Sequence, residues 1–248
     1  MRDAFQKRHD GRDVSWNPSV AGGDHARVAV QVSVLSMEAA VILIGQYDSP
    51  FVRRVAIALR IYGLDHEHRP WSVFGDAAAI ARFNPLKRVP TLVLDDGEVL
   101  IESGAILDHL DELAGPDRAL IARHGPERRR ALKVCALATG LADKAVSLVY
   151  ERVLHQETSA VWIERCASQI AGVLDALEAD RAGRPGPWWF GGAIGHADIA
   201  VGCVLRFVGE AHPGVFDAGR WPALAAHAAA CEALEPFQAV VQPFSVSA

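Results

Sequence analysis

Tyr47-Asp48-Ser49-Pro50-Phe51-Val52-Arg53-Arg54, entered from the apolar run Val41-Ile42-Leu43-Ile44, is the stretch whose reading decides the fold. Four β-branched or leucine residues in succession read as a short buried strand. Ser followed by Pro reads as a helix start, because Ser suits the N-cap and Pro the first helical position. Val52, Val55, Ala56, Leu59 and Tyr62 then recur at three- and four-residue steps, and Gly63 offers a left-handed stop. The spacing predicts a helix from Pro50 to about Tyr62, with the strand running into it at Ser49. A helix mouth carries unpaired N–H groups and partial positive charge, so this corner is suited to an anion. Taken alone, the same residues describe any well-capped helix, and the segments downstream decide between the two readings.

Working outward, Asp65 to Trp71 reads as a second strand, which Pro70 restricts to a short or edge-like element. Asp76 to Phe83 has helical composition with Asp76 suited to the cap, and Asn84-Pro85 ends it. Val89 to Leu94 is a strand opened by Pro90, and Asp95-Asp96-Gly97 turns it into Val99-Leu100-Ile101, a hairpin signal. Ser103 is read as the cap of a helix whose stripe is Ile106, Leu107, Leu110 and Leu113, with Gly115-Pro116 as its stop. A βαβ unit followed by an antiparallel ββα unit gives a mixed four-stranded sheet covered by helices, the thioredoxin-like arrangement.

Beyond Asp117 the chain changes in kind. Glu127 to about His155, Ser159 to about Ala182, Ala197 to about Ala211 and Ala223 to Leu234 are alanine- and leucine-rich with helical periodicity. The expected organisation is an α/β thioredoxin-like domain over 40–117 and an all-helical domain over 123–248. Residues 1–39 crowd charged residues and turn formers without an apolar core, and read as a disordered extension that is neither secretory signal nor transit peptide. Met37 stands just before the first strand, which makes it a candidate start of translation.

The chain has 248 residues, enough for one large or two modest cores. Its net charge of −5 disfavours nucleic acid, and the densest cationic run, Arg128-Arg129-Arg130, splays round a helix axis as a solvated face. Cys135, Cys166, Cys203 and Cys231 are too widely spaced for a zinc site and fit buried reduced thiols. His66 and His68 share a strand face but have no third ligand near them in sequence, so no metal is expected. The apolar stretches are too short and too interrupted to cross a bilayer. These features together read as a cytosolic, cytoplasmic protein without membrane partners.

From Val41 onward the chain resembles the cytosolic glutathione transferases. The resemblance is carried by Ser49-Pro50-Phe51-Val52-Arg53-Arg54-Val55, by Asn84-Pro85 with Arg88-Val89-Pro90, by Glu102-Ser103-Gly104-Ala105-Ile106, and by Gly195-His196-Ala197-Asp198-Ile199. It implies a serine-type enzyme similar to the theta, zeta and omega classes, with glutathione as co-substrate and no metal. Its partners would be glutathione and a small hydrophobic electrophile, and the chain would be a homodimer. It implies a cis Val89-Pro90 bond that leaves the Val89 backbone open to pair with an extended peptide. Ser103 and Glu102 would receive the γ-glutamyl end, while Arg88, with Lys87 beside it, would meet the glycyl end. The Gly195 segment matches the family's capping motif, which makes Asp198 a folding residue rather than a catalytic one.

Ser49 stands where the resemblance places the catalytic hydroxyl, a donor to the glutathione sulfur and neither nucleophile nor base. Tyr47, two residues earlier, is a possible second hydroxyl, since strand alternation would turn both to one side. Tyr150, Phe207 or Trp162 are candidate walls for the electrophile, against the plainer reading that such aromatics are core. Two rival functions stay open: a non-catalytic interaction module on the same fold, and a glutathione-dependent isomerase or dehalogenase. The reading of Met37 is checked by the intact mass of the natively expressed protein. A start there omits Met1 to Ser36, and a mass that includes Arg2 to Ser36 contradicts it.

Overall fold

The structure is a computed structural model that describes residues 41–246. The expected extension over 1–39 and the reading of Met37 lie outside the described residues. Strand β1 (Ile42–Ile44) pairs parallel with β2 (Glu67–Arg69) and antiparallel with β3 (Thr91–Val93), which pairs antiparallel with β4 (Val99–Ile101). The sheet order is β2-β1-β3-β4, the mixed arrangement expected of a βαβ unit followed by a ββα unit. Helices α1 (Pro50–Tyr62), α2 (Ala77–Ile80) and α3 (Ser103–Ala114) accompany it. An all-helical half follows, made of α4 (Gly125–Leu154), α5 (Ala160–Ala182), α6 (His196–Ala211), α7 (Pro222–Glu232) and the short α8 (Glu235–Gln238).

Helix α1 forms for the reasons its sequence states. Ser49 is its N-cap, Pro50 its first residue, and Gly63 closes it at φ 68° while donating to Arg60 O. It is apolar on more than one side. Val52, Val55, Ala56 and Leu59 are buried, in one cluster with Leu43 and Leu92 of the sheet, Ile106 and Leu110 of α3, and Ile199, Cys203 and Phe237 of the helical half. Arg53, 2% exposed, is held in the same interior by Glu232 at 2.6 and 2.8 Å and by the carbonyls of Val240 at 3.1 Å and Phe237 at 3.0 Å. A buried guanidinium is tolerable when its donors are met in this way. A second cluster, with Leu141, Leu148, Ile170, Leu174 and Val201, joins α4, α5 and α6.

Asp198 anchors the start of α6. Its Oδ2 accepts from Gly195 N at 2.9 Å and its Oδ1 from Trp189 N at 2.7 Å, so two buried donors are satisfied by one carboxylate. Gly195 has no side chain to return the bond, and the capping box is therefore one-sided. Two expectations are corrected, and one element is added. Asp76 does not cap α2 through its side chain, which accepts from Ser72 N instead. Helix α8 was unforeseen. Ser103 is the first residue of α3 rather than its cap, a place taken by Glu102.

Beneath α6 lies His227, 2% exposed, with Nε2 3.4 Å from Asp198 O and Nδ1 without a partner among the described residues. Burial lowers its pKa from 6.5 to about 4. The folded protein therefore keeps His227 neutral where the unfolded chain protonates it, so this contribution is complete above about pH 6.5 and is lost as pH falls through 4. At about 1.4 kcal/mol per unit over about two and a half units, the loss is about 3.5 kcal/mol. Urea titrations of His227→Gln across that window should show a correspondingly flatter acid limb than the parent protein, and parallel limbs would contradict this.

Candidate functional site

At the C-terminal end of β1 the chain makes one tight step before α1. Gly45 sits at φ 130°, and a Cβ there would lie 2.5 Å from Val52 Cγ2 and 2.8 Å from Val89 Cβ. Only glycine lets the strand pass between the first turn of α1 and the proline loop. Ser49 follows at φ −67° and ψ 123°, and its Oγ accepts from Val52 N at a long 3.4 Å. The hydroxyl proton has no acceptor among the described residues. Ser49 therefore presents a spare donor at the positive end of a thirteen-residue helix.

That donor opens into a cleft of about 710 Å³ of empty space, its open mouth included. Asp48, Ser49 and Arg88 give the lining its polar groups, and Val89, Tyr150, Phe207 and Phe244 are among its aliphatic and aromatic walls. Phe244 stands edge-on to Phe207, centroids 5.4 Å apart, and its backbone N–H is fixed by Glu210 at 2.8 Å. The half-buried Asp48 carboxyl is pushed up by burial. Trp162 is not part of this wall and packs on the helical core beside Lys144.

The Val89-Pro90 bond is cis, and the loop leading to it is pinned from beneath. Asn84, 1% exposed, donates to Arg88 O at 2.9 Å and accepts from Leu86 N at 3.0 Å. Pro90 is buried, Arg88 and Lys87 are exposed, and Lys87 holds φ 53°. Arg88 reaches Glu102 at 3.5 Å in a solvent-exposed pair that contributes little stability. Ser103, buried, begins α3 directly behind Glu102. Ser49, Arg88 and Val89 thus share the cleft, and Glu102 adjoins it through Arg88, with Ser103 next to Glu102 in the chain.

Tyr47 does not join them. Its ring stacks on His68 at 3.8 Å, and it lines a separate surface cavity with Arg60, His66 and Glu235. Burial pushes its phenol above the ordinary 10.0. The alternation that would have turned Tyr47 and Ser49 to one side does not apply, because β1 ends at Ile44 and Tyr47-Asp48 form a turn. Gly45 and Phe244 are the site residues that the sequence reading passed over, while Asn84 was read there only as a turn and motif residue. Gly45, one residue after an apolar run, carried a usable signal, whereas Phe244 comes from the far end of the chain. No group of three His, Cys, Asp or Glu side chains arranged for a metal occurs among the described residues.

Residues 43–118 match the model of the glutathione S-transferase N-terminal domain, and residues 160–230 that of the C-terminal domain. Maleylacetoacetate isomerase of Pseudomonas aeruginosa is 32% identical over 163 residues, 62% of this chain and 74% of that protein. The chain belongs to the glutathione transferase family. The uncharacterized GST-like protein YibF of Escherichia coli is 36% identical over 137 residues, covering 55% of this chain and 67% of that one. A glutathione S-transferase from Methylobacterium radiotolerans, solved in complex with glutathione sulfonate, superposes with a TM-score of 0.77 at 30% identity, over 84% of this chain and 97% of that one.

Glu102 is the strained point of the site, at φ 66° and ψ 122° without a side-chain bond to α3. An L side chain in such a conformation costs on the order of 1–3 kcal/mol. Glu102→Gly should therefore unfold at higher urea than Glu102→Ala by about that margin. Equal midpoints would show that the backbone there is not strained.

Proposed function

We propose that the cleft at the start of α1 binds glutathione, and that the Ser49 hydroxyl holds its sulfur as the thiolate for attack on a small hydrophobic electrophile. One observation carries the assignment: the hydroxyl that caps a buried helix keeps its proton unspent and faces a cleft whose far wall is aromatic. A free thiol of this kind has a pKa of about 8.5 and is only a few per cent thiolate near neutrality. A hydrogen bond to a charged group contributes about 1.5–3 kcal/mol and a helix N-terminus about 0.3–1. Together these lower the thiol by about 1.3–3 units, enough to make the thiolate a major species at pH 7. No general base is needed, because the thiol proton leaves to solvent on binding.

In this reading the tripeptide lies along the Val89 backbone beside cis Pro90. Ser103 and the first N–H groups of α3 take the γ-glutamyl carboxylate, Glu102 takes its ammonium, and Arg88 meets the glycyl end. Phe207, Phe244 and Tyr150 hold the electrophile. Tyr47 has no part in it, since it faces another cavity. Family membership supports a homodimer working in the cytoplasm, in keeping with the described residues, where no helix is long and apolar enough to cross a membrane. The similarity to maleylacetoacetate isomerase favours one further reading, in which glutathione is regenerated and the net reaction is isomerisation. A product screen across aryl halides, enones and cis-unsaturated acids separates the two.

Ser49→Ala should lower kcat/KM for glutathione conjugation by about a hundredfold, the scale of losing one donor to developing negative charge. Tyr47→Phe should stay within about a factor of two of the parent. Full activity in the serine variant ends the assignment. Failure of the parent protein to be retained on immobilised glutathione would end the binding reading itself.

A further inference from the structure

Asp48 and Arg88, the two charged residues among those that line the Ser49 cleft, differ in what answers their charge. Arg88 has Glu102 at 3.5 Å and, in the pose described above, the glycyl carboxylate. Asp48 has no cation. Its Oδ2 accepts from Ser245 N at 3.4 Å, and no ion pair reaches it among the described residues. Burial pushes the carboxyl up, the backbone N–H groups of Ser245 and Ser49 favour its ionised form, and Glu210 adds a like charge nearby. The one arginine on that side is already shared: Arg206 lies 2.7 Å from Glu210 and 3.3 Å from Glu232. Asp48 therefore brings an uncompensated negative charge into the cleft.

That charge stands where the electrophile has to sit. Asp48 directly precedes Ser49, the donor to the sulfur, and the chain that bonds to it carries the opposite wall. Ser245 follows Phe244, whose ring meets Phe207 edge-on and whose N–H is held by Glu210, three residues beyond Phe207 on the same face of α6. The aromatic wall and the Asp48 carboxylate are thus tied together by the C-terminal segment. A group seated between the sulfur and that wall lies against Asp48, and a like charge brought there from water is opposed by a field that solvent screens only in part.

We propose that Asp48 is the charge filter of the electrophile subsite, so that the cleft takes electrophiles without a negative charge and turns away carboxylates. The inference rests on the glutathione reading of this cleft, and within it decides against an unsaturated acid as the substrate.

Chlorodinitrobenzoate and its methyl ester, each conjugated with glutathione by the full chain near neutral pH, test this, with kcat/KM for each divided by its rate constant with free glutathione. The ester is the larger of the two, so a filter of size alone would favour the acid. The expected result is a preference for the ester of at least about tenfold, falling to within about threefold in Asp48→Asn. Both probes meet the same bound thiolate in any one variant, so a general change of activity cancels from the ratio. If Asp48→Asn does not fold, Asp48→Ser carries the same expectation. A parent protein that uses the acid as well as the ester, or better, overturns the filter and gives the electrophile's charge to Arg88. A preference for the ester that the Asp48 variant leaves intact also overturns it, because the thiolate or the shape of the cleft then sets the preference. A parent protein that conjugates neither probe ends the reading of the cleft as a conjugating site, and the inference with it.

Discussion

Helix α1 is packed between the sheet and α3 on one flank and α6 and α8 on the other, and everything functional in this protein depends on that confinement. A helix with one free face can shift along its axis by small adjustments of its packing. One buried on both sides, with Arg53 bound to Glu232 and to the carbonyls of Val240 and Phe237, cannot do so without breaking interior contacts. Its first turn is consequently a fixed object. Donors fixed before a charge arrives need no reorganisation when it does, which is where electrostatic stabilisation gains most of its strength.

The surroundings of that first turn divide the work between buried and exposed residues. Asn84, Pro90 and Ser103 are buried and hold the loops, while Arg88, Lys87 and Glu102 are exposed and free to meet a ligand. Lys87 and Glu102 are also the two non-glycine residues with positive φ among those described. Backbone strain at the rim, supported by a rigid interior beneath it, is the pattern of a surface shaped for recognition rather than for stability.

Much of this could be read from the residues. The apolar run before Ser49-Pro50, the three- and four-residue spacing after it and the Asp-Gly hairpin are local signals, and they led to the right strand and helix order. The Gly195 to Ile199 motif likewise pointed to Asp198 as a folding residue, because a carboxylate three residues into a helix has its own cap within reach. The failures have physical causes of equal clarity. Serine favours the cap and Ser103 reads as one, but the strained conformation falls on Glu102, which no propensity foretells. Tyr47 was turned toward Ser49 by a strand periodicity that stops at Ile44, and Gly45 at φ 130° marks where it stops. The aromatic wall draws Phe244 from nearly two hundred residues away, which no local pattern announces.

The central claim is electrostatic, so the most direct measurement is of charge. Ultraviolet absorbance of the thiolate, followed against pH for glutathione bound to the parent protein and to Ser49→Ala, reports the sulfur's ionisation without any second substrate. The account predicts a bound thiol about 1.3–3 units below its free value of about 8.5 in the parent, and a return most of the way in the variant. Identical curves for the two proteins would contradict it.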